Sequence, residues 1–436
     1  SALEEQKKYI IKEEITKYQH IILQRMKKVK TENGWVQGVP SGMRTITVFR
    51  GLPYAAPPVG DRRWKAPAPV ENWEGMRTAD TFAPIAAQTV EDDVFYSKEF
   101  DYREREPMSE DCLYLNVWTP AYADSEKLPV MLYIHGGGFR SGYSYEPFMD
   151  GDAFCKQGVI LVTITYRLGC LGFMAHPDLA AEDPHHSTGN YAIMDQVAAL
   201  AWIHRNIAAF GGDPENVTLF GQSGGGAKVL AMMTSPYAKG LFEKGIVQSG
   251  ATETMGVKFN TQESSTVLAE NILKNLNITS ENLEEIQNVS VEDLEAAASD
   301  ALVQTGEQLQ IPTWTGDSYA VDWEPVVDGD FLPTDPVTDD SFAEAGKDIP
   351  LLIGSNLNEW TGYFESDPVT PTDELTEALK EAYPDKTDLT AEHVDTTLIR
   401  LPILKIMAHK ADQGGAPVYG YVFTYGNSFH GAEIPY

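Results

Sequence analysis

Apolar residues along this chain fall into short continuous runs separated by segments of helical period. Val130–Ile134 and Val159–Tyr166 are apolar or β-branched throughout, as strands buried on both faces should be. Later runs of the same kind are Val217–Phe220, Gly245–Ser249, Ile349–Gly354 and Val418–Phe423. Between them, Ile193, Val197, Leu200, Ile203 and Ile207 recur at helical spacing over 191–210, and Gly211-Gly212-Asp213-Pro214 stops that helix. Alternating buried strands and helices predict an α/β fold: a central, mostly parallel sheet flanked by helices, with ligands at the carboxyl ends of the strands.

The flanking segments read differently. Residues 3–30 are charged, with apolar positions at Ile10, Ile11, Ile15, Ile21, Ile22 and Leu23, and predict an amphipathic helix in an N-terminal extension over 1–33. Strand-like pieces at 34–39 and 45–49 then open a single large domain, 34–436. Proline through Arg50–Trp64 predicts a fixed extended loop, because proline suits neither a helix interior nor a central strand. Ser109–Trp118 leads into a further strand. Residues 258–310 are acidic and helical in character, and predict a helical insertion over the active-site edge of the sheet.

Charge narrows the partners. The formal net charge is −31, from 64 acidic and 33 basic residues, which argues against nucleic acid or an anionic membrane surface. No apolar run approaches the ~20 residues a membrane span requires, and no signal-peptide core precedes the first strand. The three cysteines, Cys112, Cys155 and Cys170, are sparse and odd in number, so reduced thiols in a cytoplasmic protein are expected. A processed, secreted chain beginning at Ser1-Ala2 is the alternative.

The chemistry centres on Gly221-Gln222-Ser223-Gly224-Gly225. Gly-x-Ser-x-Gly on a strand-to-helix turn is a nucleophile elbow, in which a sharp turn lifts the serine above the sheet and glycines avoid clashes on either side. With 36 glycines in 436 residues, the pattern alone arises by chance with a probability of roughly one in five. Its companions therefore decide. Serine needs a base, and the base needs an acid that fixes its tautomer. Downstream histidines are His393, His409 and His430. His430 follows the last strand, where the base belongs, while His393 and His409 read as surface residues. Glu359 is the only carboxylate in the loop after 349–354; Asp328 and Asp330 compete for the acid's role, though Asp-Gly reads better as a turn. His135-Gly136-Gly137-Gly138-Phe139 follows the strand 130–134. Backbone N–H groups of Gly137, Gly138 and Gly224 would make a three-donor oxyanion hole, and His135 is expected to hold that loop rather than act as base.

Further segments share this pattern: Arg50-Gly51-Leu52-Pro53-Tyr54-Ala55 with Pro57-Pro58-Val59-Gly60 and Arg63-Trp64, Ser109-Glu110-Asp111-Cys112-Leu113-Tyr114-Leu115-Asn116-Val117, Phe210-Gly211-Gly212-Asp213-Pro214-Glu215-Asn216-Val217-Thr218, Gln248-Ser249-Gly250 and His430-Gly431-Ala432-Glu433-Ile434-Pro435-Tyr436. Together they resemble the type B carboxylesterase family, the group that includes cholinesterases and bacterial para-nitrobenzyl esterases. The resemblance implies the α/β-hydrolase fold over roughly 34–436 and the triad Ser223, Glu359 and His430. It also implies Gly137, Gly138 and Gly224 as oxyanion donors, and a supporting Glu110–Arg63 pair. The chain departs from the family in several places. Gln222 and Gly224 stand where Glu and Ala are usual, and Asn358 and Trp360 flank Glu359 in place of Asp and Gly. Ala86-Ala87-Gln88 offers no cysteine to pair with Cys112, which is therefore expected to be free, as in a bacterial-type enzyme. Relatives continue beyond the Glu-Ile-Pro-Tyr segment with a helix that this sequence does not include.

The expected function is serine-dependent cleavage of small carboxylic esters through an acyl-enzyme, with no metal and no organic cofactor. A non-catalytic binding or adhesion module on the same fold is the rival, as is an amidase, lipase or acyltransferase using the same triad. Phe139, Trp314, Tyr319, Trp323, Trp360, Tyr363 and Phe364 are the candidate pocket aromatics.

Overall fold

A computed structural model describes residues 6–13, 27–89, 107–149, 151–183, 187–250, 259–313, 318–360 and 372–436. The apolar runs become the middle of a nine-stranded sheet. In chain order its strands are β1 (Val39–Pro40), β2 (Thr47–Pro53), β3 (Tyr114–Thr119), β4 (Leu128–Ile134), β5 (Ile160–Ile164), β6 (Gly212–Gln222), β7 (Lys244–Gln248), β8 (Leu351–Asn356) and β9 (Val418–Phe423). They lie side by side as β9-β8-β7-β6-β4-β5-β3-β2-β1. Pairings from β9 across to β5 are parallel, and those joining β5, β3, β2 and β1 are antiparallel. Every residue of β5 is buried, which is why that run carries no polar alternation.

Helix α1 (Tyr191–Asn206) and helix α2 (Gly224–Thr234) cover the sheet. All of α2 is buried, so it holds the end of β6 from which it starts. The acidic segment forms α3 (Gln262–Asn275) and α4 (Val291–Leu309), packed against each other. Helix α4 also packs on the short helix Gly169–Phe173, which follows the carboxyl end of β5. The insertion thus sits on the predicted side of the sheet. Arg63 ties it down. Its guanidinium donates to Glu110 Oε2 and Oε1 at 2.7 and 2.6 Å, and to the carbonyls of Ile286 and Val289 at 3.0 and 2.8 Å. No helix among the described residues is long and apolar enough to cross a membrane.

Two local expectations are corrected. Residues 6–13 are helical and exposed, and 14–26 lie outside the described residues, but Lys28–Lys30 is a strand antiparallel to Trp35–Gln37. Val29 and Val36 face each other there and are both buried, so a cross-strand apolar contact overrides the flanking lysines. The helix reading therefore fails at Lys28–Lys30, and the division at residue 33 cuts a strand pair. The supposed loop from Arg50 also begins later, since β2 runs on to Pro53. A register shift between Phe49 and Leu52 absorbs Arg50 and Gly51, and proline is tolerated because it ends the strand.

Candidate active site

Ser223 stands between the last residue of β6 and the first of α2, at φ 55° and ψ −128°. A left-handed serine costs on the order of 1–3 kcal/mol and persists only where its surroundings impose it. Here Ser223 N–H donates to the Gln248 carbonyl at 2.8 Å. A Cβ on Gly225 would collide with the Ile134 carbonyl, and one on Gly221 would lie 2.5 Å from the Gly225 carbonyl carbon. Only glycine fits on either side of the elbow. Ser223 stays half-buried at the N-terminus of α2, whose free N–H groups favour negative charge.

Glu359 follows β8 and its side chain is fully buried. Its Oε2 lies 2.6 Å from His430 Nδ1. Its Oε1 accepts from Ser249 Oγ at 2.5 Å and from the Asn356 N–H at 2.7 Å. The His430 N–H donates to the Glu359 carbonyl at 3.0 Å, so the two loops are joined by backbone as well. Because an ionised carboxylate only accepts, the His430 proton belongs on Nδ1 and the lone pair on Nε2. Trp360 stacks on the imidazole at 4.4 Å. The Trp360 N–H in turn donates to Asp395 Oδ1 at 2.9 Å. Burial, with the Glu359 charge adding to it, pushes the Asp395 carboxyl up to about 7.

The glycine loop meets the elbow. Gly137 and Gly138 have φ of 86° and 61°, and the N–H groups of Arg140 and Ser141 fold back onto the Gly137 carbonyl at 3.2 and 3.1 Å. A Cβ on Gly136 would lie 3.4 Å from Ser223 Cβ, and one on Gly224 would strike the Gly138 carbonyl. Gly136–Gly138, Ser223 and Gly224 are therefore adjacent. His135 stacks on Tyr166 at 4.4 Å, and its Nδ1 lies 2.9 Å from the Gly136 oxygen. Burial, helped by the Lys228 charge, pushes His135 down to about 3. A neutral, enclosed imidazole braces the loop and is unavailable as a base.

The remaining candidates divide. Phe139 is buried edge-on to Phe173 at 5.1 Å, and Trp323 is buried in the main core. Tyr319 is exposed. Trp314, Tyr363 and Phe364 lie outside the described residues. Asp328 is held by Asn190 Nδ2 at 3.0 Å and by Ser187 Oγ, and Asp330 accepts from Tyr237 Oη at 3.0 Å. Neither meets His430. His409 is half-buried on α5 (Leu401–Asp412). His393, expected at the surface, is buried instead, with Nε2 3.3 Å from Thr376 Oγ1. Its helical turn, Thr390–Asp395, is drawn inward by buried Val394 and by the Asp395 bond to Trp360. Sequence reading gave no role to Ser249, Asn356 or Asp395. Only the position of Gln248-Ser249-Gly250 after a strand adjoining the elbow strand hinted at Ser249.

The family model described as "Carboxylesterase family" matches residues 25–382. Among curated proteins, the chain is 35% identical over 430 residues to the para-nitrobenzyl esterase of Bacillus subtilis (strain 168), covering 94% of this chain and 82% of the relative. It is 35% identical over 360 residues to the fumonisin B1 esterase of Sphingopyxis macrogoltabida, covering 82% and 61%. Among solved structures, a PNB esterase aligns with a TM-score of 0.76 at 34% identity, covering 94% of this chain and 83% of that one. An esterase from the anaerobe Clostridium hathewayi, described as able to hydrolyse aliphatic aromatic polyesters, aligns with a TM-score of 0.78 at 29% identity, covering 94% and 82%.

Proposed function

Because this chain belongs to the carboxylesterase family, and so hydrolyses carboxylic esters, we propose that Ser223 is its nucleophile, His430 its base and Glu359 the acid that orients the base. The observation that carries this reading is the buried 2.6 Å contact between His430 Nδ1 and Glu359 Oε2, on loops bordering the strained Ser223 turn. In the first half-reaction Ser223 Oγ attacks the ester carbonyl carbon while His430 Nε2 takes the seryl proton. The carbonyl oxygen becomes an oxyanion that accepts hydrogen bonds from Gly137, Gly138 and Gly224 N–H groups. The intermediate collapses, the ester C–O bond breaks, and His430 gives its proton to the departing alcohol. In the second half-reaction water gives a proton to His430 and attacks the acyl carbon, and that proton returns to Ser223 as the carboxylic acid leaves. Glu359 stabilises each transient imidazolium.

Three buried thiols in no disulfide, Cys112, Cys155 and Cys170, support a reducing compartment, the cytoplasm. The relatives' names span para-nitrobenzyl esters, fumonisin B1 and aliphatic aromatic polyesters. Esters varied separately in acyl and alcohol part would reveal this chain's own preference, with Phe139, Trp323 and Trp360 as its candidate pocket aromatics. Ser223→Ala is expected to lose both hydrolysis of p-nitrophenyl butyrate and labelling by a fluorophosphonate. Near-normal turnover in that variant would overturn the assignment.

A further inference from the structure

Lys228 lies in α2, five residues beyond Ser223, and has no solvent exposure. Lysine ordinarily buries its stem and keeps its ammonium in water. Here the Nζ donates to the Gly138 carbonyl at 2.5 Å. It also stands over the rings of Phe139 and Tyr166, at 4.7 and 5.3 Å. Burying an ammonium is costly unless it is charge-paired and hydrogen-bonded. The same carbonyl is pressed against Gly224, where any Cβ would strike it. Gly138 has φ of 61°, so its own backbone does little to fix the orientation of the adjoining peptide. One oxygen of the glycine loop is thus gripped from two sides by the helix that carries the nucleophile.

We propose that Lys228 is a positioning residue for the oxyanion hole: its ammonium pins the Gly138 carbonyl against Gly224 and thereby fixes the Gly137 and Gly138 N–H groups relative to Ser223. The inference rests on the reading of those groups as oxyanion donors. It also explains Gly224, which stands where alanine is usual in the elbow. A methyl group there would hold the loop away from the ammonium. Burial pushes Lys228 down to about 7, with buried Glu146 acting against that shift, and burial pushes Glu146 itself up to about 8. Its Oε2 has no hydrogen-bond partner among the described residues.

A lysine that only filled space over Phe139 and Tyr166 would affect stability, not turnover by folded enzyme. Lys228→Met, Lys228→Gln, Gly224→Ala and the Gln/Ala double variant separate the two. Folded Lys228→Met is expected to lose about tenfold to a hundredfold in kcat on p-nitrophenyl butyrate, with KM changed by less than about threefold. Lys228→Gln keeps an N–H donor and recovers part of the loss. Gly224→Ala shows the same kcat-dominated loss. Because both changes act through one carbonyl, the double variant is no worse than the worse single. Should Lys228→Met fail to fold, Lys228→Gln and Gly224→Ala carry the comparison. Turnover within about twofold of the parent in the folded lysine variants, or strictly additive losses, would overturn the clamp. Ser223→Ala is the control. Its retained activity would strike the nucleophile reading itself, whereas its inactivity beside unaffected lysine variants would strike the clamp alone.

Discussion

Gln222 Nε2 lies 3.2 Å from His430 Nε2, at the edge of the imidazole opposite Glu359. With the proton on Nδ1, the amide donates to the atom that in the proposed mechanism accepts the proton of Ser223. His430 Nε2 is therefore already engaged by a neighbouring amide. Gln222→Glu would place a carboxylate beside the imidazole and favour its charged form. The acidic limb of kcat/KM against pH is expected to move up by about one unit. An unmoved limb would show that Gln222 has no electrostatic hold on the base.

Glu359→Gln leaves a neutral amide that can present either end to Nδ1, so neither the tautomer nor the imidazolium is secured. A fall in kcat of about 10³- to 10⁴-fold is expected, with little change in KM. Ser249→Ala removes one donor from Glu359 and should cost about tenfold. Steady-state kinetics on one chromogenic ester would rank them, and a milder Glu359→Gln than Ser249→Ala would contradict the geometry.

Arg63 joins Glu110 to the Ile286 and Val289 carbonyls that precede α4. Arg63→Ala leaves a largely buried carboxylate and two carbonyls without their donor, so a loss of about 3 kcal/mol is expected by urea unfolding. The double variant with Glu110→Ala should lose less than the sum of the singles, since the stranded charge is gone. Additive losses would mean the pair does not act as a unit.

Asp395 responds to pH in a definite direction. Its folded carboxyl titrates at about 7, above the ordinary carboxylate range, because burial disfavours the charge. The folded state then holds a proton that the unfolded chain releases near pH 4. This contribution is full below about pH 4 and is lost as pH rises through about 7. Asp395→Asn keeps an acceptor for the Trp360 N–H, and its unfolding free energy should fall less steeply between those values. Chemical unfolding at a series of pH values would test this, and parallel curves for parent and variant would refute it.

The runs at 130–134 and 159–166 read as buried strands because a strand covered on both faces has no polar side to show. Ser223, the glycines around it and Glu359 are candidates on local pattern alone, since each follows a strand. The strand at Lys28–Lys30 is not legible locally, because its single apolar residue, Val29, has meaning only opposite Val36. The burial of His393 is not legible locally either, because it goes with Asp395 reaching Trp360 across 35 residues.

The sequence by itself determined the strand and helix alternation, the elbow and the glycine loop, because these follow from local period and from where only glycine fits. Tertiary structure alone decided which polar groups share the site. The 2.6 Å contact of His430 with Glu359 spans 71 residues, the Gln222 contact with His430 spans 208, and the Lys228 hold on Gly138 spans 90. A hydrogen bond acts over about 3 Å and depends on direction. No residue carries in its own type the identity of a partner that the sheet order brings to it.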